Sequence, residues 1–269
     1  MSFTICETPN HNETIETSCF RSLHAAEHLI DQALAIGTTH DPIKLSVVIP
    51  VFNERETLPQ VIEAVHRLPI DKQVVIVDDA STDGSAEWLA ERGGRPNERI
   101  VLRRRNRGKG SALRVGMRHC DGNIIAIQDA DLEYDPMDLM SVIRPIAHGL
   151  CDVVYGSRYL GPAHQDGSWI HRAGNGALTA LSNFTTGLSL TDMETCHKAF
   201  RRDVIESLQL RQSRFGFEPE VTAKIARQGY RLMEVPTGYN SRGYDEGKKI
   251  GWRDGVNALW CMLRYWKWD

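Results

Sequence analysis

The feature that most constrains this 269-residue chain is a repeated unit: a short apolar run ending on acidic residues, then a segment of helical periodicity. Leu45-Ser46-Val47-Val48-Ile49-Pro50 is the first run, and its β-branched character suits a strand buried on both faces. Asn53-Glu54-Arg55-Glu56 then opens a helix carrying Leu58, Val61, Ile62 and Val65 on one side. Val74 to Val77 reads as the second strand, ended by Asp78-Asp79, and Ser81 to Ser85 caps the next helix. Arg99 to Leu102 is a third strand. A helix from about Gly110 to Arg118 leads to a fourth, Ile124 to Ile127, which runs into Asp129-Ala130-Asp131. This alternation predicts an α/β fold, a mostly parallel sheet with helices on both faces. Such sheets bind ligands beyond the carboxyl ends of their strands, where these acidic clusters stand.

Past Met140 the pattern loosens. Asp152 to Gly156 reads as a strand, 161–167 as a loop and 171–187 as a helix. Glu218-Pro219-Glu220 starts a helix with Val221 and Ile225 inward, stopped by Gly229, and Arg231 to Pro236 is a last strand. The predicted organisation is an N-terminal helical extension over 1–41, a catalytic domain over 42–250 and an amphipathic helix over 251–269. In that last helix Trp252, Val256, Leu259, Leu263 and Trp266 share a face, with Arg253, Arg264 and Lys267 elsewhere. A Trp-rich, basic helix of this kind lies in a bilayer interface or packs on its own domain, and the spacing leaves both open.

Several classes are excluded. The net charge of −3 argues against a general nucleic-acid binder. The six cysteines are scattered with no CxxC pair, as expected of reduced thiols in the cytoplasm. No segment approaches the roughly 20 apolar residues of a membrane span, and the N-terminus lacks the basic start and apolar core of a signal peptide. His24 and His28 have a chelating spacing without a third ligand, so they read as a solvated helix face.

Asp129 and Asp131 carry the clearest chemistry. Two carboxylates at the end of a buried strand repel each other unless a cation joins them. In an extended run positions i and i+2 face one side, so both reach one hard divalent ion, Mg²⁺ or Mn²⁺, with Glu133 completing the set. Such an ion can bridge the two phosphates of a nucleotide sugar. Asp79 ends the second strand, where it can meet a nucleobase or ribose; Glu54 is either a nucleotide contact or a first-turn helix charge. The run from Arg103 to Ser111 fails the P-loop pattern GxxxxGK[ST], because Arg103 and Gly110 fall at fixed positions. Its glycine-flanked loop can still offer backbone N–H groups to phosphate.

The ordered series VVIPVFNE, VVIVDDASTDGS, NRGKGSALRVG, DADLEYDP and GSRYLG resembles the inverting family-2 glycosyltransferases of the GT-A fold. Within them it is similar to the dolichol- and polyprenyl-phosphate mannosyl- and glucosyltransferases. The resemblance runs from about Leu45 to Gly251. It implies nucleotide-sugar contacts from Pro50, Phe52, Glu54, Val77, Asp79, Asp129 and Ala130, and metal contacts from Asp129, Asp131 and Glu133. It implies Arg158 and Arg172 at the acceptor phosphate, and Arg242 and Lys248 on a basic loop over the diphosphate. Phe52 stands where relatives commonly have Tyr, and Glu133 where some have Gln. The loop reads RGYDEGKK against the usual R-x-x-G-x-S-K, and Asp192-Met193-Glu194-Thr195-Cys196 replaces D-P-x-S-G.

The expected activity is transfer of a hexose, mannose first and glucose next, from a GDP- or UDP-sugar to a lipid such as undecaprenyl phosphate. A phosphate monoester is anionic at neutral pH, so it needs neighbouring cations rather than a general base. Such a protein would sit peripherally on the inner face of the membrane, alone or with a membrane-protein partner. Two rivals stay open: transfer to a saccharide hydroxyl, with Asp192 or Glu194 as base, and a non-catalytic sugar-nucleotide binder. A dinucleotide oxidoreductase is disfavoured because no GxGxxG follows the first strand.

Overall fold

The computed structural model describes residues 42–160, 169–241 and 252–267. The strands are β1 (Leu45–Val51), β2 (Lys72–Asp78), β3 (Glu98–Leu102), β4 (Ile124–Ile127), β5 (Val153–Ser157), β6 (Lys198–Arg201) and β7 (Leu232–Pro236). The helices are α1 (Leu58–His66), α2 (Ser85–Arg92), α3 (Lys109–Met117), α4 (Leu139–Ala147), α5 (Trp169–Thr186), α6 (Arg202–Ser207), α7 (Phe217–Arg227) and α8 (Trp252–Lys267). One sheet takes the order β3-β2-β1-β4-β6-β5-β7. All neighbours run parallel except β6, which is antiparallel to both β4 and β5.

The alternation along β1 explains the two-sided core. Leu45, Val47, Ile49 and Val51 pack with α1 and α4 on one face, whereas Val48 packs with α3 and α7 on the other. A strand wedged between two helical layers has no polar face, hence its unbroken apolar reading. Gly116 lets α3 close on the sheet, since a Cβ there would run into Val48.

Three elements differ from expectation: β6, α4 and the short α6. β6 has the sequence KAFR, too short and too charged at its ends to read as a strand. Its Lys198 is nevertheless fully buried; the ammonium donates to the carbonyls of Met193 and Thr195 and lies 4.0 Å from the Tyr155 ring centroid. A buried charge is tolerated when its hydrogen bonds are met. α4 carries Pro145 within its last turn, which had masked the helical period.

In α8, Cys261, Met262 and Tyr265 are buried while Leu259, Trp260 and Leu263 are exposed. The helix packs on α5 and α7, and the stripe read from the sequence points outward at Leu259 and Leu263. Residues 1–41, the loop 161–167, Arg242 and Lys248 lie outside the described residues, as do the side chains of Trp252, Arg253, Val256, Trp266 and Lys267.

Going from β1 the chain steps outward to β2 and β3, then returns to β4 on the other side of β1. This reversal places a crevice beyond the carboxyl ends of β1 and β4.

Candidate active site

A cleft of about 550 Å³ occupies that crevice, with Pro50, Phe52, Glu54, Asp79, Asp129, Ala130, Asp131 and Glu133 on its wall. The loops after β1, β2 and β4 each contain a left-handed non-glycine residue: Asn53 (φ 55°), Ala80 (φ 62°) and Leu132 (φ 60°). Conformations of this cost persist only where surrounding bonds enforce them. Those bonds are present. Asn53 Oδ1 accepts from the Thr82 N–H (2.8 Å), Asp83 Oδ2 from the Arg55 N–H (2.9 Å), and the Thr57 hydroxyl donates to the Ala130 carbonyl (2.7 Å) and to Glu54 Oε2 (3.0 Å).

Leu132 corrects the expectation that Asp129, Asp131 and Glu133 lie along one extended run. The chain turns there, and Asp131 Oδ1 accepts from the Glu133 N–H at 3.1 Å. The three carboxylates still reach the cleft, but from a turn. Asp129 is held by Lys109, whose ammonium lies 2.8 Å from its carboxylate, 2.8 Å from Cys196 Sγ and 3.9 Å from Glu218. Burial alone would raise the Asp129 pKa, and the Lys109 charge reverses this and lowers it.

Asp79 is also committed. Arg103 donates to its Oδ1 (2.5 Å), and the N–H groups of Arg107 (3.0 Å) and Gly108 (2.6 Å) donate to its Oδ2. Two backbone donors expected to face phosphate are thus anchored on Asp79, which fixes the loop before α3. Val77 stands apart from the other expected contacts. Its side chain is fully buried in the core beside α3 and takes no part in the cleft wall.

Arg158 and Arg172 stand beyond the far wall. Asp192, fully buried, accepts from Arg158 Nε (2.7 Å) and Nη2 (2.8 Å), and from Asn175 (3.0 Å). Burial opposes the Asp192 charge, and Arg158 overcomes it, keeping the carboxyl below its usual range. Arg158 stacks over Tyr239 (5.1 Å) and Tyr159 (5.7 Å), and the exposed Arg172 lies 5.8 Å from the same Tyr159 ring. Tyr239, on the cleft wall, donates to Glu133 Oε2 at 3.0 Å, linking the acidic turn to the arginines. Glu194 is pushed up to about 8 by burial and then by the neighbouring Glu218 charge, and its Oε1 is buried without a hydrogen-bond partner among the described residues.

The sequence reading did not assign Lys109, Cys196, Arg214, Phe215 or Tyr239 to the wall, though all line it. Tyr239 follows β7 at a carboxyl end, so the strand-end rule would have found it.

Residues 46–209, more than half of the chain, match the family described as glycosyl transferase family 2. The chain belongs to that family. It is 33% identical over 227 residues to the undecaprenyl-phosphate 4-deoxy-4-formamido-L-arabinose transferase of Edwardsiella ictaluri (strain 93-146). That match covers 81% of this chain and 66% of the relative's length. Among solved structures, this family-2 chain resembles glucosyl-3-phosphoglycerate synthase from Mycobacterium tuberculosis, in complex with Mn²⁺, UDP and phosphoglyceric acid. The TM-score is 0.66 at 19% identity, covering 86% of this chain and 85% of that one. It also resembles a mannosyltransferase from Pyrobaculum calidifontis in complex with GDP-Man and Mn²⁺, at TM-score 0.52 and 21% identity, covering 82% and 64%. The fold is therefore GT-A.

Among the described residues no three His, Cys, Asp or Glu side chains are grouped as a metal cage. Mg²⁺ is commonly held by one or two carboxylates together with substrate phosphates. Asp131 and Glu133, hard oxygen donors on one wall, fit a divalent cation of that kind.

Proposed function

We propose that this family-2 chain transfers a sugar from a nucleotide sugar to a polyprenyl phosphate with inversion. The observation that carries the reading is the Arg158 clamp on Asp192. A carboxylate held by a bidentate guanidinium is a poor proton acceptor, which favours an acceptor that arrives already ionised. The 33% identical relative, whose name specifies undecaprenyl phosphate, supports the same acceptor class.

In this reading a phosphate oxygen of the lipid attacks the anomeric carbon. The bond from that carbon to the diphosphate breaks, and the nucleoside diphosphate leaves. Pro50, Phe52, Glu54 and Ala130 bind the nucleotide sugar, and Asp79 keeps the loop before α3 in register with it. Asp129, Asp131 and Glu133 are the carboxylates that would hold Mg²⁺ or Mn²⁺, with Asp129 exchanging its Lys109 contact. The cation would offset the charge of the leaving diphosphate. Asp131, Arg158 and Arg172 are assigned to catalysis, with Arg158 fixed by Asp192 and Arg172 nearer solvent; Arg242 and Lys248 are assigned to the diphosphate. GDP-mannose is the first donor to test and UDP-glucose the second. The described helices contain none long and apolar enough to cross a membrane, and exposed Leu259, Trp260 and Leu263 support a peripheral contact.

The test is transfer from each donor to undecaprenyl phosphate with and without Mg²⁺ or Mn²⁺. Metal-dependent lipid product is expected, and wild-type transfer by folded Asp131→Ala would remove the metal assignment. The rival reading, transfer to a sugar hydroxyl, would draw on Asp192 or Glu194 as the base. Product on a soluble sugar but not on lipid phosphate would establish that rival.

A further inference from the structure

The turn between Leu208 and Gly216 is held more firmly than a surface connection requires. Glu220, fully buried in α7, accepts from the N–H groups of Arg211 (2.8 Å) and Gln212 (2.7 Å). Arg114 of α3 donates to the Leu210 carbonyl (3.0 Å) and the Ser213 hydroxyl (3.3 Å). The Ser213 carbonyl accepts from the Ser111 N–H at 3.0 Å. Gly108 and Gly110 permit this approach, because a Cβ on them would lie 2.6 Å from the Ser213 carbonyl oxygen and 2.8 Å from that of Gln212. On the opposite side Gly216 rests against Cys261 and Asn257 of α8. A fully buried carboxylate, itself paired with Lys224 at 2.9 Å, and a half-buried guanidinium thus both brace one turn.

What the turn presents is Arg214 and Phe215, both on the cleft wall. Lys109 and Arg214 are the two basic side chains on that wall among the described residues. Lys109 is committed to Asp129 and Cys196. Arg103, behind the wall, is committed to Asp79, and Arg158 to Asp192. Arg214 is exposed and has no ion pair or side-chain hydrogen bond among the described residues. A planar guanidinium held on a braced turn, facing a cleft whose other basic wall residue, Lys109, is held by Asp129, matches a phosphate group.

We propose that Arg214 grips a phosphate in the cleft. The inference rests on the reading of the cleft as a sugar-nucleotide site. The phosphate is either the diphosphate of the donor or the monophosphate of the acceptor, and one experiment separates them. Full-length Arg214→Ala and Arg214→Lys are compared with wild type and with Arg105→Ala, an exposed arginine off the wall. Calorimetry with UDP and GDP in the presence of Mn²⁺ reads the donor arm. The KM for undecaprenyl phosphate, and competition by inorganic phosphate, read the acceptor arm. Arg214→Ala should lose about 10- to 100-fold in one arm, as for a hydrogen bond to a charged group. Arg214→Lys should retain part of the affinity, Arg105→Ala should match wild type, and melting temperatures should coincide. If Arg214→Ala equals wild type in both arms, the inference falls while the reading of the cleft stands. If wild type binds neither nucleotide, both fall together.

Discussion

The two sides of the cleft are built on different physical terms. On the side of β1, β2 and β4, the loops are sewn together by short polar side chains (Asn53 to Thr82, Asp83 to Arg55 and Ser85, Thr57 to Ala130) beside two ion pairs, Arg103–Asp79 and Lys109–Asp129. Each bond is modest and they share the work, so the strained residues Asn53, Ala80 and Leu132 are enforced redundantly. On the side of β5, β6 and β7, single buried charges hold the geometry. Asp192 is fixed by Arg158, and Lys198 ties two carbonyls beneath Tyr155. An antiparallel strand inserted among parallel ones brings remote segments together, and ion pairs over long sequence separations then set their register. One side should therefore degrade gradually when altered, and the other abruptly.

The abrupt side gives the largest expected effect. Arg158→Ala would leave Asp192 charged and buried without its cation, keeping only Asn175 and the backbone N–H of position 158, at a cost of about 3–5 kcal/mol. Urea unfolding should report this loss, and Arg158→Met with Asp192→Asn should recover part of it. A loss below about 1 kcal/mol, the range of surface pairs, would erase the contrast between the two sides. Asp131→Ala comes next and acts on chemistry. Removing a metal-binding carboxylate on the cleft wall should lower kcat by about 10²–10³-fold, equivalent to about 2.7–4 kcal/mol of transition-state stabilisation. Its unfolding midpoint should stay near wild type, because the turn keeps its other bonds.

The same division decided what could be read from the sequence. β1 to β4 and their acidic ends were legible because each strand, helix and turn signal lies within a few neighbouring residues. Asp129, Asp131 and Glu133 reached the cleft as expected, although Leu132 turns a chain that had been read as extended. Val77, given by the family resemblance alone, has its side chain in the core beside α3, and the sequence does not say which face a strand residue takes. β6 was missed because its four residues have charged ends that only the fold neutralises. The Arg158–Asp192 pair spans 34 positions, and no local pattern announces a partner at that distance. Arg214 was missed for a related reason: its place on the wall is set by Glu220, Arg114 and two glycines of another helix.

The pH response sharpens the comparison at smaller scale. Burial, and then the Glu218 charge, lift the Glu194 carboxyl from its ordinary 4.5 to about 8. Between those pH values the folded protein holds a proton on Glu194 that the unfolded chain has released. Stability therefore falls as pH rises through about 4.5 to 8, by at most about 1.4 kcal/mol per pH unit for one proton. Glu194→Gln should flatten that part of the profile in denaturation measured from pH 5 to 8. A wild-type profile already flat there would mean that Glu194 ionises normally.

The smallest effect belongs to the distributed side. Asp83 accepts from the Ser85 N–H (3.0 Å), the Ser85 hydroxyl (2.6 Å) and the Arg55 N–H (2.9 Å), so it ties the start of α2 to the loop after β1. Asp83→Ala removes all three bonds; water can reach the partly exposed Arg55 N–H, and the buried Ser85 hydroxyl still accepts from the Glu54 N–H (3.2 Å). The expected cost is about 1 kcal/mol, as for loss of a helix cap. Because Thr82 to Asn53 and Thr57 to Ala130 still join the loops, nucleotide affinity should change less than about threefold, below the 1.4 kcal/mol that a tenfold change represents. Calorimetry and urea unfolding on one preparation would test both numbers. A loss comparable to that of Arg158→Ala would mean that the β1, β2 and β4 side also hangs on a single charge, and the proposed difference between the two sides would be abandoned.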